Sequence, residues 1–172
     1  MKIKILMISL AVILSACSTS PNKSNIGYSS SFKSDIYVPS TLTSEQKSEI
    51  VLFSMGLTDT KYNWGSKKPN FGLDCSGLVS YVFKSALNIK LSGAAKDIVK
   101  YGRSVPLSHI HNQKLELGDL LFFNTTGKSY SHVGIYIGNN SFLHSSSGAG
   151  KVIISKLSNK YYISKLEEIK RI

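Results

Sequence analysis

The apolar positions change their spacing along the chain, and each change marks a different part. Ile5 to Leu14 is an unbroken apolar run about ten residues long. That is half of what a membrane-spanning helix needs, roughly 20 residues. Residues 18–40 are rich in Ser, Asn and Lys and show no apolar period, which predicts a flexible tether. Thr43-Ser44-Glu45 then reads as a helix N-cap with an acidic first turn. Ile50, Val51, Phe53 and Leu57 supply the stripe behind it, and Gly56 lies near the end. Residues 60–74 carry Gly, Pro, Asn and aromatic residues and predict a structured loop. From Cys75, the positions Leu78, Val79, Val82, Phe83, Ala86 and Leu87 recur at helical spacing. A shorter helix is expected over residues 93–101.

The second half changes to period two. Leu120-Leu121-Phe122-Phe123 follows the turn Leu117-Gly118-Asp119. Val133, Ile135 and Ile137 alternate with Gly134, Tyr136 and Gly138. Asn139-Asn140 is a tight-turn candidate, Ser141 to His144 opens a further strand, and Lys151 to Ser155 makes another. Helices first and a sheet of closely spaced strands second predict an α+β domain with an antiparallel sheet. A turn centred between Asn139 and Asn140 pairs residue i with 279 − i. That register sets His144 near Ile135 and His132 opposite position 147.

The N-terminal pattern assigns a function to one of the two cysteines. Lys2 and Lys4 precede the apolar run, and Leu14-Ser15-Ala16-Cys17 ends it. Small residues before a cysteine there resemble the lipobox of bacterial lipoproteins, which implies a signal peptide over 1–16 and lipidation of Cys17. Ser18, next in line, resembles the sorting pattern for an outer membrane where the source has one. The expected organisation is a signal peptide (1–16), a lipidated cysteine and tether (17–40) and one folded domain (41–172). The tether is at most ~3.5 Å per residue, an outer limit of about 80 Å.

Net charge is +11, and +9 once Lys2 and Lys4 are removed. The surplus predicts anionic lipid or cell-wall polymer as a neighbour, or a Lys-rich solubilising surface; nucleic acid is not expected for an exported chain. His109 and His111 have no further ligand at metal spacing, so they read as solvated loop residues, and no metal or cofactor is expected.

With Cys17 committed to lipid, Cys75 is left as a free thiol in an exported chain. At a helix N-terminus it faces unpaired N–H groups and the positive end of the helix dipole, which predicts a stabilised thiolate. His132 and His144 lie downstream in strands, and a thiol with an imidazole is the equipment of nucleophilic catalysis. A small buried cysteine capping a core helix, and hydrogen-bonded surface histidines, fit the same residues when each is taken alone.

Taken together, the motifs decide. Tyr62-Asn63-Trp64-Gly65, then Gly72-Leu73-Asp74-Cys75-Ser76-Gly77-Leu78-Val79, resembles the opening of the NlpC-type cell-wall peptidases, a papain-like group of cysteine peptidases. Leu117 to Phe123, Ser131 to Gly138 and Phe142-Leu143-His144 resemble its later motifs, in order, over about residues 45–157. The resemblance implies a papain-like fold. It makes Cys75 the nucleophile, His132 the general base and acid, and His144 the residue that orients His132. It places Tyr62 beside the nucleophile as a substrate or oxyanion contact, and Asp74 and Ser76 at positions that contact a substrate amine. Asp74 equally fits the N-cap of the Cys75 helix, and Asp119 fits a structural role in its turn. Trp64-Gly65-Ser66 departs from the frequent double glycine of the group. The implied activity is hydrolysis of peptidoglycan stem peptides between the D-glutamate side-chain carboxyl and the following diamino acid, by a monomer anchored to a bacterial membrane. An amidase or acyltransferase with the same triad, and a non-catalytic wall-binding lipoprotein, are the alternatives.

Overall fold

The computed structural model describes residues 41–172, Asn112 excepted. The expected signal peptide, Cys17 and the tether lie outside the described residues.

Helix α1 (Ser44–Met55) begins with a complete capping box. Thr43 Oγ1 accepts from Gln46 N at 3.2 Å, and Thr43 N donates to Gln46 Oε1 at 3.0 Å. Ile50 is fully buried, and Phe53 and Leu57 of the expected stripe pack partly buried against the core, whereas Leu52 and Met55, outside the stripe, face solvent. The 60–74 loop holds a small hairpin of β1 (Lys67–Lys68) and β2 (Gly72–Leu73). Helix α2 (Cys75–Leu87) follows directly, with Leu78, Val79, Val82 and Phe83 fully buried. Each such side chain is worth about 1.5–3 kcal/mol in burial, so α2 is the hub of the domain. Helix α3 (Ala95–Ile98) is shorter than the 93–101 span expected.

Strands β3 (Arg103–Ser104), β4 (Leu120–Phe123), β5 (His132–Gly138), β6 (Ser141–Ser146) and β7 (Lys151–Lys156) come next. Helix α4 (Lys160–Ile163) and β8 (Leu166–Arg171) close the chain. The larger sheet is antiparallel, in the order β3-β8-β4-β5-β6-β7. Alternate residues of β4, β5 and β6 divide between two cores. Leu120, Phe122, Val133, Ile135 and Leu143 pack with α1, α2 and α3. Leu121, Phe123 and Phe142 pack with Val105, Leu157, Ile169 and Tyr162 on the other face. This is the α+β architecture that the pattern predicts.

The β5–β6 hairpin corrects the predicted register. Asn139 and Asn140 both have positive φ, +49° and +54°, as a two-residue hairpin turn requires. Gly138 pairs with Ser141, but Tyr136 then pairs with Phe142 and Ile135 with Leu143. Ile137 is therefore the extra residue of a β-bulge. Continued by one position, this register sets His144 against Gly134, not Ile135. A one-residue slip exchanges faces, so the bulge puts His144 on the face that carries His132.

Asp119 organises the turn before β4, as its sequence position suggests. Its Oδ1 and Oδ2 accept from Arg171 Nε and Nη2, each at 2.7 Å, and Oδ2 also accepts from Glu116 N at 2.8 Å. Glu116 is ion-paired with Arg171 and, at 2.5 Å, with Lys47 of α1. The Lys47 hydrogen bond, with the Arg171 charge behind it, holds the Glu116 carboxyl below the usual range. The network ties α1, the turn and β8 together.

Candidate active site

Cys75 is the first residue of α2, and Asp74 is the N-cap. Asp74 Oδ1 accepts from Gly77 N at 2.6 Å and from Ser76 Oγ at 2.9 Å, while Oδ2 accepts from Gly65 N at 2.9 Å. The carboxylate thus caps the helix and pins the 62–66 loop against it. The cap consumes the third helical N–H and leaves those of Cys75 and Ser76 free. Both, together with Val133 N–H from β5, favour the anion of the sulfur. Gly77 makes the close approach of the loop feasible, since a Cβ there would stand 2.2 Å from Ser66 O. On the other side, Ser145 Oγ donates to Leu73 O at 2.6 Å, fixing β2 against β6 just before the cysteine.

The two histidines meet. His132 Nε2 lies 2.8 Å from His144 Nδ1, with the rings edge-to-face at 88°. Gly134 keeps this arrangement open, because a Cβ there would stand 2.6 Å from Phe142 Cδ2 and 3.3 Å from His144 Cβ. His144 Nε2 in turn lies 2.9 Å from Ser155 Oγ. Ser155 was not among the residues that the motifs single out. Its signal in sequence is only its place in β7, where it pairs with Phe142 and so stands diagonal to His144.

The chain of three groups determines where the protons sit. For His132 to act as a base through Nδ1, its Nε2 carries the proton and donates to His144 Nδ1. His144 then carries its proton on Nε2 and donates to Ser155 Oγ. Ser155→Ala removes the last acceptor. A drop in kcat of about tenfold with KM unchanged is the expected result, the worth of about one hydrogen bond. Steady-state kinetics check it, and Ser155→Thr should restore the rate.

Protonation states differ from the expected thiolate. Burial pushes the Cys75 thiol up to about 11, the Asp74 carboxylate adds to this, and the three N–H groups only partly offset it. The helix terminus does favour the anion, but a partly buried sulfur beside a carboxylate loses more than the dipole returns. Burial lowers His132 to about 4. Burial, with the neighbouring His132, lowers His144 to about 3. Burial thus favours a neutral thiol and two neutral imidazoles in the resting site. Tyr62 lies close enough to sense both neighbours. Burial first, then the Cys75 and Asp74 charges, raise its phenol above the usual range.

The same shifts set an acid window for stability. Both imidazoles bind protons more weakly when folded than the ordinary 6.5 of the unfolded chain. Their contribution is fully present above pH 6.5 and is lost as pH falls toward about 4. Each group costs about 1.4 kcal/mol per pH unit inside that window. Urea unfolding at a series of pH values should show the decline, and His144→Asn should make it shallower.

Of the other sequence candidates, Ser76 is buried and its hydroxyl is spent on Asp74, so Asp74 and Ser76 are engaged with each other and the cap. His109 lies in a short 3-10 turn and His111 is exposed beyond it. Among the described residues, no group of three or more His, Cys, Asp or Glu side chains is placed to hold a metal. No helix of the described residues is long and apolar enough to cross a membrane.

Residues 59–171 match the profile of the NlpC/P60 family. The chain belongs to the NlpC/P60 family. Murein DD-endopeptidase MepS/Murein LD-carboxypeptidase of Escherichia coli is 31% identical over 175 residues, covering 96% of this chain and 89% of that protein. The gamma-DL-glutamyl hydrolase of Bacillus subtilis is 40% identical over 111 residues, 64% of this chain. This chain spans only 25% of the length of that hydrolase. The crystal structure of an NLP/P60-family protein similar to a lipoprotein, from Staphylococcus aureus, superposes with a TM-score of 0.66 at 25% identity, over 78% of this chain and 44% of that one. The papain-like α+β fold that the motifs imply is thus the fold of this NlpC/P60 domain, with the helix that begins at Cys75 packed on the sheet that carries His132 and His144.

Proposed function

We propose that residues 41–172 form a cysteine peptidase that hydrolyses peptidoglycan stem peptides through an acyl-enzyme on Cys75. The observation that carries this reading is the relay from His132 to His144 to Ser155 in the domain that presents Cys75 at the head of α2. His132 Nδ1 takes the thiol proton as sulfur attacks the peptide carbonyl. The N–H of Cys75 and the phenol of Tyr62 stand as donors for the oxyanion, the kind of interaction worth on the order of 3 kcal/mol. His132 then gives its proton to the amine nitrogen as the C–N bond breaks. Water, deprotonated by His132, attacks the thioester, and the acid leaves as the proton returns to sulfur.

The bond we propose is the one between the D-glutamate side-chain carboxyl and the diamino acid, in keeping with the motifs and with the name of the Bacillus relative. A second reading, the D-alanyl cross-link, is favoured by the near full-length similarity to a murein DD-endopeptidase. It also fits the engagement of Asp74 and Ser76 in the helix cap, which leaves them less available to a free substrate amine. Mass spectrometry of peptidoglycan digested with the purified full chain separates the two. Fragments ending at D-glutamate support the first bond, and cross-linked dimers resolved into monomers support the second. No cysteine-dependent product at all would remove the peptidase reading.

The proposal extends to an exported monomer, held through acyl chains on Cys17 and a tether over 17–40, that acts on the wall beside its membrane. Cys17→Ser should move the protein from the membrane to the soluble fraction, as immunoblotting of fractionated cells would show.

A further inference from the structure

The surplus positive charge is not spread evenly along the chain. Residues 60–96 hold six lysines and one carboxylate, Asp74, which the helix cap consumes. Three of the six meet at one place. Lys67 of β1, Lys84 of α2 and Lys90 beyond it line a cavity of about 280 Å³ on the flank of α2, together with Ser80, Tyr81 and Ser92. No carboxylate lines it, and none of the three lysines is ion-paired among the described residues. The partners they have are neutral: Lys67 Nζ donates to Gly93 O at 3.1 Å, and Lys84 Nζ to the side-chain oxygen of Asn88. Asp97, the next carboxylate along the chain, is taken by Ala94 N and Lys100. Ser80 Oγ is buried and has no hydrogen-bond partner among the described residues. Three ammoniums without a counter-charge and a buried hydroxyl without a partner call for the same thing, an anion with several acceptor oxygens. Ser80 lies about 7.5 Å along the helix axis from Cys75 and about 140° around it, on a different side of α2.

We propose that this cavity seats the phosphodiester of an anionic phospholipid head group, so that this flank of α2 rests on a membrane surface. A phosphodiester has charged acceptor oxygens and no donor of its own, and lysine serves such groups as a compact point charge. The volume falls just below the roughly 300–1,000 Å³ of drug-sized sites, which suits a head group rather than a whole ligand. The segment that supplies Lys67 also exposes Trp64 and Phe71, 84% and 70% accessible. Exposed aromatics beside lysines are the composition of a surface that lies in a membrane–water interface.

The full chain carrying Cys17→Ser, so that no acyl chain contributes, is titrated with glycerophosphoglycerol, and separately with inorganic phosphate and with acetate at equal ionic strength. Saturable NMR shifts of the Ser80 and Ser92 amides with the diester, absent with acetate, are expected. Ser80→Ala, which leaves every charge in place, should weaken the diester about fivefold. Sedimentation with phosphatidylglycerol vesicles reads the surface. Lys67→Gln with Lys84→Gln and Lys90→Gln should weaken vesicle binding at least about tenfold. Lys114→Gln with Lys160→Gln and Lys165→Gln removes the same charge from the segments packed on the other face of the sheet. In about 0.15 M salt that set should cost no more than about twofold. Residues 5–14 are the same in every chain, so their affinity for lipid cancels. Equal losses in the two triple variants, or a diester affinity that Ser80→Ala leaves unchanged, overturn the proposal. Shifts with inorganic phosphate but none with the diester remove the head group as the ligand. Neither readout uses peptide cleavage, so failure here leaves the peptidase reading standing.

Discussion

Peptidoglycan incubated with a Cys75→Ala chain will release no fragments above the buffer control, a loss on the order of 10⁴- to 10⁶-fold in kcat. Without the sulfur no acyl-enzyme forms, and nothing else near the head of α2 replaces it: Ser76 is buried and bonded to Asp74. His132→Gln should cost nearly as much, because members of one proton relay act as a unit and their losses do not add. Alanine in place of a partly buried cysteine leaves α2 capped, so the melting temperature should stay within a few degrees of the parent. Mass spectrometry of the soluble products measures the loss. Cleavage by Cys75→Ala at the parental rate would falsify the assignment of the nucleophile.

The second large effect lies at the far end of the chain. Arg171→Met should lower the unfolding free energy by about 3–5 kcal/mol, read as a fall in the urea midpoint. The Asp119 side chain is fully buried, and Arg171 supplies two of its three hydrogen-bond donors. Removing the guanidinium leaves a buried carboxylate held by one backbone N–H. Lys47→Met, at the more exposed end of the same network, should cost no more than about 1 kcal/mol. Equal effects at the two ends would mean that burial is not what sets the value of the network.

Both effects involve residues whose partners are distant in sequence, and this decides how much the sequence could tell. The helix after Cys75, the cap at Thr43 and the strands around His132 and His144 are legible because their signals are local: a period, a cap residue, a pair of asparagines. The motif order then carries the site. What stayed hidden depends on tertiary placement. Strand β8 reads as a mixed run of Leu, Glu, Ile, Lys and Arg, yet it pairs with β4 inside the sheet. Its charged residues are satisfied there by the Asp119 network and by Glu167, which accepts from Tyr130 N and Asn124 Nδ2. Ser155 joins the relay only through the β6–β7 register. The bulge at Ile137 has no sequence mark of its own, yet it sets the register that brings His144 to the face of His132. The thiol shows the same limit from the side of energetics. A helix terminus is visible in sequence, whereas the burial that outweighs it is not.

That burial has a consequence for how the protein survives where it is proposed to work. Peroxides and disulfides react with thiolates, not with thiols. A thiol that burial holds well above the ordinary range carries less thiolate at pH 7 than the few per cent of an ordinary cysteine. Beyond the cytoplasm, reducing partners are scarce and a sulfinic acid is permanent. With its sulfur held protonated by burial, the proposed nucleophile would react slowly with oxidants in such a compartment and would last there without a reductase to restore it.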